Sequence, residues 1–89
     1  MRNFWKKMKG QYTSPGSMQS EQFDLLIGIS GIHSKKVVNA LKDYYVAGFS
    51  RKYACEKNGV SQSYFSISKS KFVALSNSVA MVSHYYFPV

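Results

Sequence analysis

The chain has little of several things. It has one cysteine, Cys55, in 89 residues, so an intrachain disulfide is excluded and a reducing compartment suits it. It has four acidic residues against twelve Lys and Arg, a formal charge of +8. Such a balance fits a polyanionic partner, nucleic acid or an anionic membrane surface. No apolar run approaches the ~20 residues needed to span a bilayer, and no membrane partner is expected. The N-terminal cations Arg2, Lys6, Lys7 and Lys9 are not followed by an apolar segment, so a secretory signal is not expected. After Lys71 there is no Asp, Glu, Lys or Arg at all.

The chemistry of an enzyme is missing as well. His33 and His84 are far apart in sequence, Cys55 has no evident base, and the four acids form no paired-carboxylate arrangement. No Gly-rich phosphate loop and no zinc-ligand spacing occurs. A non-enzyme without metal or cofactor is expected.

What is present is helical punctuation. Eighty-nine residues support one modest core, and domains of this size often gain stability by oligomerising. Residues 1–19 read as a basic and aromatic arm, flexible, broken by Gly10, Pro15 and Gly16. Residues 20–89 read as a single all-α domain of four to five helices. A first helix over 20–29 has Ser20 as its cap. Its Phe23, Leu25, Leu26, Ile27 and Ile29 make it apolar nearly all round, and thus largely buried. A second, over 34–47, is capped by Ser34 and carries Val37, Val38, Leu41, Tyr44 and Tyr45 as its core stripe. Gly48 ends it.

The stretch from Phe49 to Lys71 reads as two helices joined by a tight turn. Ser50 caps the first, Asn58-Gly59 stops it, Val60 is an apolar plug and Ser61 caps the second. Ala54 and Cys55 are small enough to let the helices approach. This is the layout of a helix-turn-helix, whose second helix usually enters a DNA groove. Two positions depart from the usual pattern. Asn58 stands where an apolar residue is common, and Ser68 stands where one is expected late in the second helix, with Ile67 one place earlier. The tail from Phe72 continues as a helix, with Phe72, Leu75, Val79 and Val82 on one side and Ser76, Ser78 and Ser83 opposite. With Tyr85 and Tyr86, the apolar side is expected to serve partly as core and partly as a subunit contact.

Residue chemistry supports a DNA partner. Arg51 and Lys52 sit on the first turn of the first motif helix, where cations can reach phosphates. Gln62 can make two hydrogen bonds to adenine, and Ser63 reads bases more permissively. Tyr64, Ser66, Lys69 and Lys71 add hydrogen bonds and charge. A short-chained, Ser-rich surface implies weak base discrimination and more dependence on A·T-rich groove shape. Cys55 falls on the inner face, where a small buried residue needs no further role.

From Phe23 to about Lys69 the chain resembles the PapB-type family of fimbrial (adhesin-biosynthesis) transcription regulators. The matching phrases are IHS-x-K-V, ALKDY, GFSRKYACEK and SYFS. The resemblance implies an all-helical protein of the bacterial cytoplasm, at the nucleoid, that binds A·T-rich double-stranded control regions of adhesin operons as a homo-oligomer. By position it places DNA binding on Arg51, Cys55 and the segment from Gln62 to Ser66. Two rival readings use the same residues differently. One is a protein–protein adaptor without DNA contact; the other is a peripheral membrane binder using Phe4, Trp5 and the arm lysines.

Overall fold

The computed structural model describes residues 14–86, with side chains to Val82. The arm residues Arg2, Phe4, Trp5, Lys6, Lys7 and Lys9 lie outside the described residues. Four helices follow one another: α1 (Ser20–Ser30), α2 (Lys35–Tyr45), α3 (Arg51–Asn58) and α4 (Gln62–Tyr86). The described residues contain no strand, and the fold is all-α as the sequence implies.

Local chemistry sets most of the boundaries. Ser34, Ser50 and Ser61 each accept a backbone N–H from the residue three further on: Val37 at 3.5 Å, Tyr53 at 3.2 Å and Tyr64 at 3.1 Å. Each satisfies one orphan donor of the helix it precedes. Gly59 ends α3 in the left-handed conformation, φ 66°, and the Val60 N–H returns to the Cys55 carbonyl at 2.9 Å. With no Cβ, glycine adopts that conformation without steric cost.

The start of α1 differs from the sequence expectation. Ser20 is the first helical residue, Gln19 is the N-cap, and no side chain caps the helix. At the other end, Ser30 Oγ donates to the Ile27 carbonyl at 2.9 Å and accepts the Ile32 N–H at 3.1 Å. Gly28 is therefore interior, and Gly31 makes the turn at φ 77°.

The core is built on an aromatic chain that joins α1, α2 and α4. Phe72 of α4 lies between Phe23 of α1 and Tyr45 of α2, with ring centroids at 5.3 Å from each. Tyr44 meets Tyr45 edge-on at 5.0 Å and Phe65 at 5.7 Å. Val37, Ala40, Leu41, Ala54 and Cys55 fill the space around these rings. Burying a large apolar side chain contributes roughly 1.5–3 kcal/mol, so these few rings supply much of the fold's stabilisation.

Two expectations about burial are corrected, and the register at Ser68 holds. Leu25 and Ile29 are 75 % and 64 % exposed, so α1 buries only the side bearing Phe23 and Leu26. Ser76 is buried, not solvent-facing; its hydroxyl donates to the Phe72 carbonyl at 3.0 Å. A small side chain that satisfies itself on its own helix leaves room for the neighbouring helix to come close. Ser68 is also buried while Ile67 is 57 % exposed, so the serine does take the inward register position. On α4 the buried residues are Phe65, Ser68, Phe72, Ser76 and Ala80, steps of three or four that keep one face inward.

The chain before α1 is tied to the end of α2. Gly16 N–H donates to the Tyr44 carbonyl at 2.9 Å and Met18 N–H to the Tyr45 carbonyl at 3.0 Å, while the Met18 side chain is buried in the core. At this crossing a Cβ on Gly16 would meet the Gly48 Cα at 3.4 Å. Residues 16–18, which the sequence groups with the arm, thus pack against the helical body.

Candidate nucleic-acid interface

The turn between α3 and α4 is held from behind by α2. Asn58 Nδ2 donates to Asp43 Oδ2 at 2.9 Å and to the Ala54 carbonyl at 2.8 Å. Lys57 Nζ lies 3.5 Å from the same Asp43 oxygen and 5.2 Å from the centre of the Phe49 ring. The Phe49 ring in turn packs edge-on against Tyr53 at 5.0 Å. This explains the unusual Asn58: an amide here makes two hydrogen bonds that an apolar side chain could not, and one of them reaches a charged acceptor.

In front, Gln62, Ser63 and Tyr64 are exposed on the first turn of α4, and Lys52 and Lys71 are exposed as well. Arg51, Ser66 and Lys69 converge. Arg51 Nη1 donates to Ser66 Oγ at 3.1 Å, across 15 residues of sequence. Both line a cleft of about 430 Å³ with Lys69, Ser70, Val73, Ala74 and Asn77. Among the described residues no carboxylate lines it. Lys69 lies with its ammonium 5.3 Å from the centre of the Tyr44 ring. Its pKa is lowered, first by burial and then by the nearby Arg51 charge.

The geometry sorts the sequence candidates. Arg51, Ser66 and Lys69 form one group, and Gln62, Ser63 and Tyr64 form a second at the start of α4. Cys55 belongs to neither: it is 2 % exposed and packs in the core. Burial raises its thiol pKa, with Arg51 opposing, so it is a neutral packing residue that supports α3 from within. Phe72, grouped in sequence with the subunit contacts, is fully buried and is a core residue instead. Leu75 and Val79 are half-buried against the core and Val82 is exposed. Tyr85 and Tyr86 lie on α4 with their side chains outside the described residues. Ser70, Val73, Ala74 and Asn77 escape sequence reasoning. The available signal was the helical spacing, since Ser70, Val73 and Asn77 recur at four, seven and eleven residues after Ser66.

Among the described residues no helix is long and apolar enough to cross a membrane. Three short helices and one long one, with side-chain caps and a left-handed glycine turn between α3 and α4, give a small helical protein compatible with the helix-turn-helix class. Comparison with known proteins makes this specific. The family described as adhesin biosynthesis transcription regulatory protein matches residues 1–86. The chain is 47% identical over 72 residues to the PapB regulatory protein of a major pilus subunit operon in Escherichia coli, covering 81% of this chain and 69% of that protein. It is 45% identical over 73 residues to the F1845 adhesin operon regulatory protein of Escherichia coli, covering 82% and 86%. The crystal structure of E. coli FocB is similar at a TM-score of 0.80 and 46% identity, over 96% of this chain and 97% of that one. The chain belongs to the PapB family of adhesin biosynthesis transcription regulators, which is not an enzyme family.

Proposed function

We propose that this chain regulates transcription of adhesin operons by binding double-stranded DNA with the α3–α4 face, in the bacterial cytoplasm at the nucleoid. The observation that supports this most is the convergence of Arg51, Ser66 and Lys69 in a cleft without carboxylates, beside the exposed Gln62, Ser63 and Tyr64. Lys52 and Lys71 flank the contact. Cations supply most of the affinity by releasing counterions condensed on the duplex. Gln62 and Ser63 read base edges, and the short side chains favour A·T-rich duplexes by groove shape.

The protein acts as a homo-oligomer. Its uncharged C-terminal half of α4, with Met81 and Val82 exposed, meets a second copy there, and Tyr85 and Tyr86 extend that contact. Exposed large apolar side chains on a small domain favour such association.

The test is a gel-shift titration on A·T-rich and G·C-rich duplexes of equal length at several salt concentrations. Tighter binding to the A·T-rich duplex in stepwise larger complexes is expected. Arg51→Ala should weaken binding to every sequence and reduce the salt slope by about one. Absence of binding at low salt would turn the reading to an adaptor that docks on another regulator.

A further inference from the structure

Two cations are gathered at one end of the α3–α4 cleft with no acid to balance them. All four acids of the chain lie elsewhere. Asp24 pairs with Lys42 at 3.2 Å and Asp43 with Lys57 at 3.5 Å, and neither Glu21 nor Glu56 lines the cleft. Arg51 has one neutral partner there, the Ser66 hydroxyl, and Lys69 rests on a ring face. Like charges held close repel, and partial burial strengthens that repulsion. The Lys69 pKa is lowered chiefly by burial, and the neighbouring Arg51 charge adds to the shift in the same direction.

We propose that the cationic end of this cleft is a seat for one phosphate-class oxyanion, held by the Arg51 guanidinium, the Lys69 ammonium and the Ser66 and Ser70 hydroxyls. This rests in part on the DNA-binding reading, because a backbone phosphate is one source of the oxyanion; free phosphate is the other. The four donors come from both motif helices. Ser66, Lys69 and Ser70 are spaced three and four residues apart and share one side of α4, while Arg51 arrives from the first turn of α3. Arg51 offers a planar fork suited to two oxygens of one anion, and Lys69 a compact charge. The hydroxyls can rotate to donate. Val73 and Ala74 follow along the helix with no charge, which limits the seat to one end. Ser70 is exposed and makes no contribution to the core, so its role is open to substitution.

Occupancy also changes what Arg51 does. Its bond to Ser66 joins α3 to α4, and an anion between Arg51 and Lys69 would reinforce the same junction with two charge-assisted bonds.

The test uses the full chain and two substitutions of equal charge. Ser70→Glu places a carboxylate in the seat. Ser78→Glu places one on the exposed side of α4 outside the cleft. Inorganic phosphate is titrated at constant ionic strength against chloride, following backbone amide resonances of Ser66, Lys69 and Ser70. DNA affinity is measured in parallel, with circular dichroism as the check on folding. Phosphate should shift those resonances saturably in the wild type and the Ser78→Glu variant, and not in Ser70→Glu. If a backbone phosphate uses the seat, Ser70→Glu should weaken DNA binding by about ten-fold more than Ser78→Glu. If phosphate shifts the cleft but wild-type DNA binding is absent, the seat stands with a free oxyanion as its ligand and the DNA reading falls. If phosphate shifts nothing and the two variants weaken DNA binding equally, the seat is overturned while DNA binding stands. Loss of folding in Ser70→Glu is covered by Ser70→Ala, which should weaken phosphate binding by a few-fold with the helical signal intact.

Discussion

The two halves of α4 pack alike and face solvent differently. In both, inward positions recur every three or four residues, from Phe65 and Ser68 through Phe72 to Ser76 and Ala80. On the outside, the first half carries Gln62, Ser63, Tyr64, Lys69 and Lys71, and the second half carries no charged residue. Since the packing demand is the same along the helix, folding does not account for the change. What differs is the chemistry each exposed surface offers: polar and cationic side chains on the first half, uncharged and largely apolar ones on the second. α3 covers the first half and brings Arg51 to it. α1 presents its own apolar side chains, Leu25 and Ile29, to solvent.

The largest expected effect would break both halves together. Phe72 touches Phe23 and Tyr45, so Phe72→Ala should cost about 3–5 kcal/mol and lower the urea midpoint in a single transition. Two separate transitions would show that the halves fold independently.

A smaller substitution should separate them. Asp43→Ala removes the acceptor shared by Asn58 and Lys57 and should cost about 1–3 kcal/mol. Amide exchange should speed at Gly59 and Val60 and stay slow around Ala80. Uniform acceleration along α4 would mean that Asp43 supports the whole fold and not one half.

Tyr45 tests the shared core more gently. Its hydroxyl is buried without a hydrogen-bond partner among the described residues, an arrangement that costs free energy. Tyr45→Phe should therefore leave stability unchanged or raise it by up to about 1 kcal/mol. Burial, and then the neighbouring Tyr44, push the Tyr45 pKa well up. The folded state thus holds this proton more tightly than the unfolded chain. The stability it protects is complete below about pH 10 and declines above it. The phenylalanine variant should show a shallower alkaline decline in chemical denaturation; an equal decline would place the linkage on other groups.

The smallest effect on folding belongs to the outer face of α1. Replacing both Leu25 and Ile29 by Lys should change monomer stability by less than about 0.5 kcal/mol. Light scattering should report the same mass if self-association runs through α4 alone, and a lower mass if α1 takes part.

How much of this the sequence discloses depends on range. Ser34, Ser50, Ser61 and Gly59 are legible because each acts on backbone within four residues. The role of Asn58 is not, because its acceptor Asp43 lies 15 residues away on another helix. The same distance separates Arg51 from Ser66. Each is a plausible phosphate contact alone, and only the packing of α3 on α4 makes them one cleft. On α1 the apolar pattern is continuous round the helix, so periodicity gives no direction, and the exposure of Leu25 and Ile29 is set by where α4 lies. Ser76 misleads for the opposite reason: polarity suggests solvent, but a hydroxyl bonded to its own helix is cheap to bury. The removal of Cys55 and Phe72 from the contact surfaces follows from the same long-range packing.

The length of α4 has a mechanical consequence. Twenty-five residues at 1.5 Å each make a rod of about 37 Å, and its interior holds neither glycine nor proline to act as a hinge. The long axis of the described body is 41 Å, so this rod sets nearly the whole reach of the molecule. Whatever grips its first turn fixes where its last turn stands, and a tilt applied at one end arrives at the other as a lever arm delivers it. The helix is a ruler: two things bound at its ends are kept a fixed distance apart, in a fixed rotational phase.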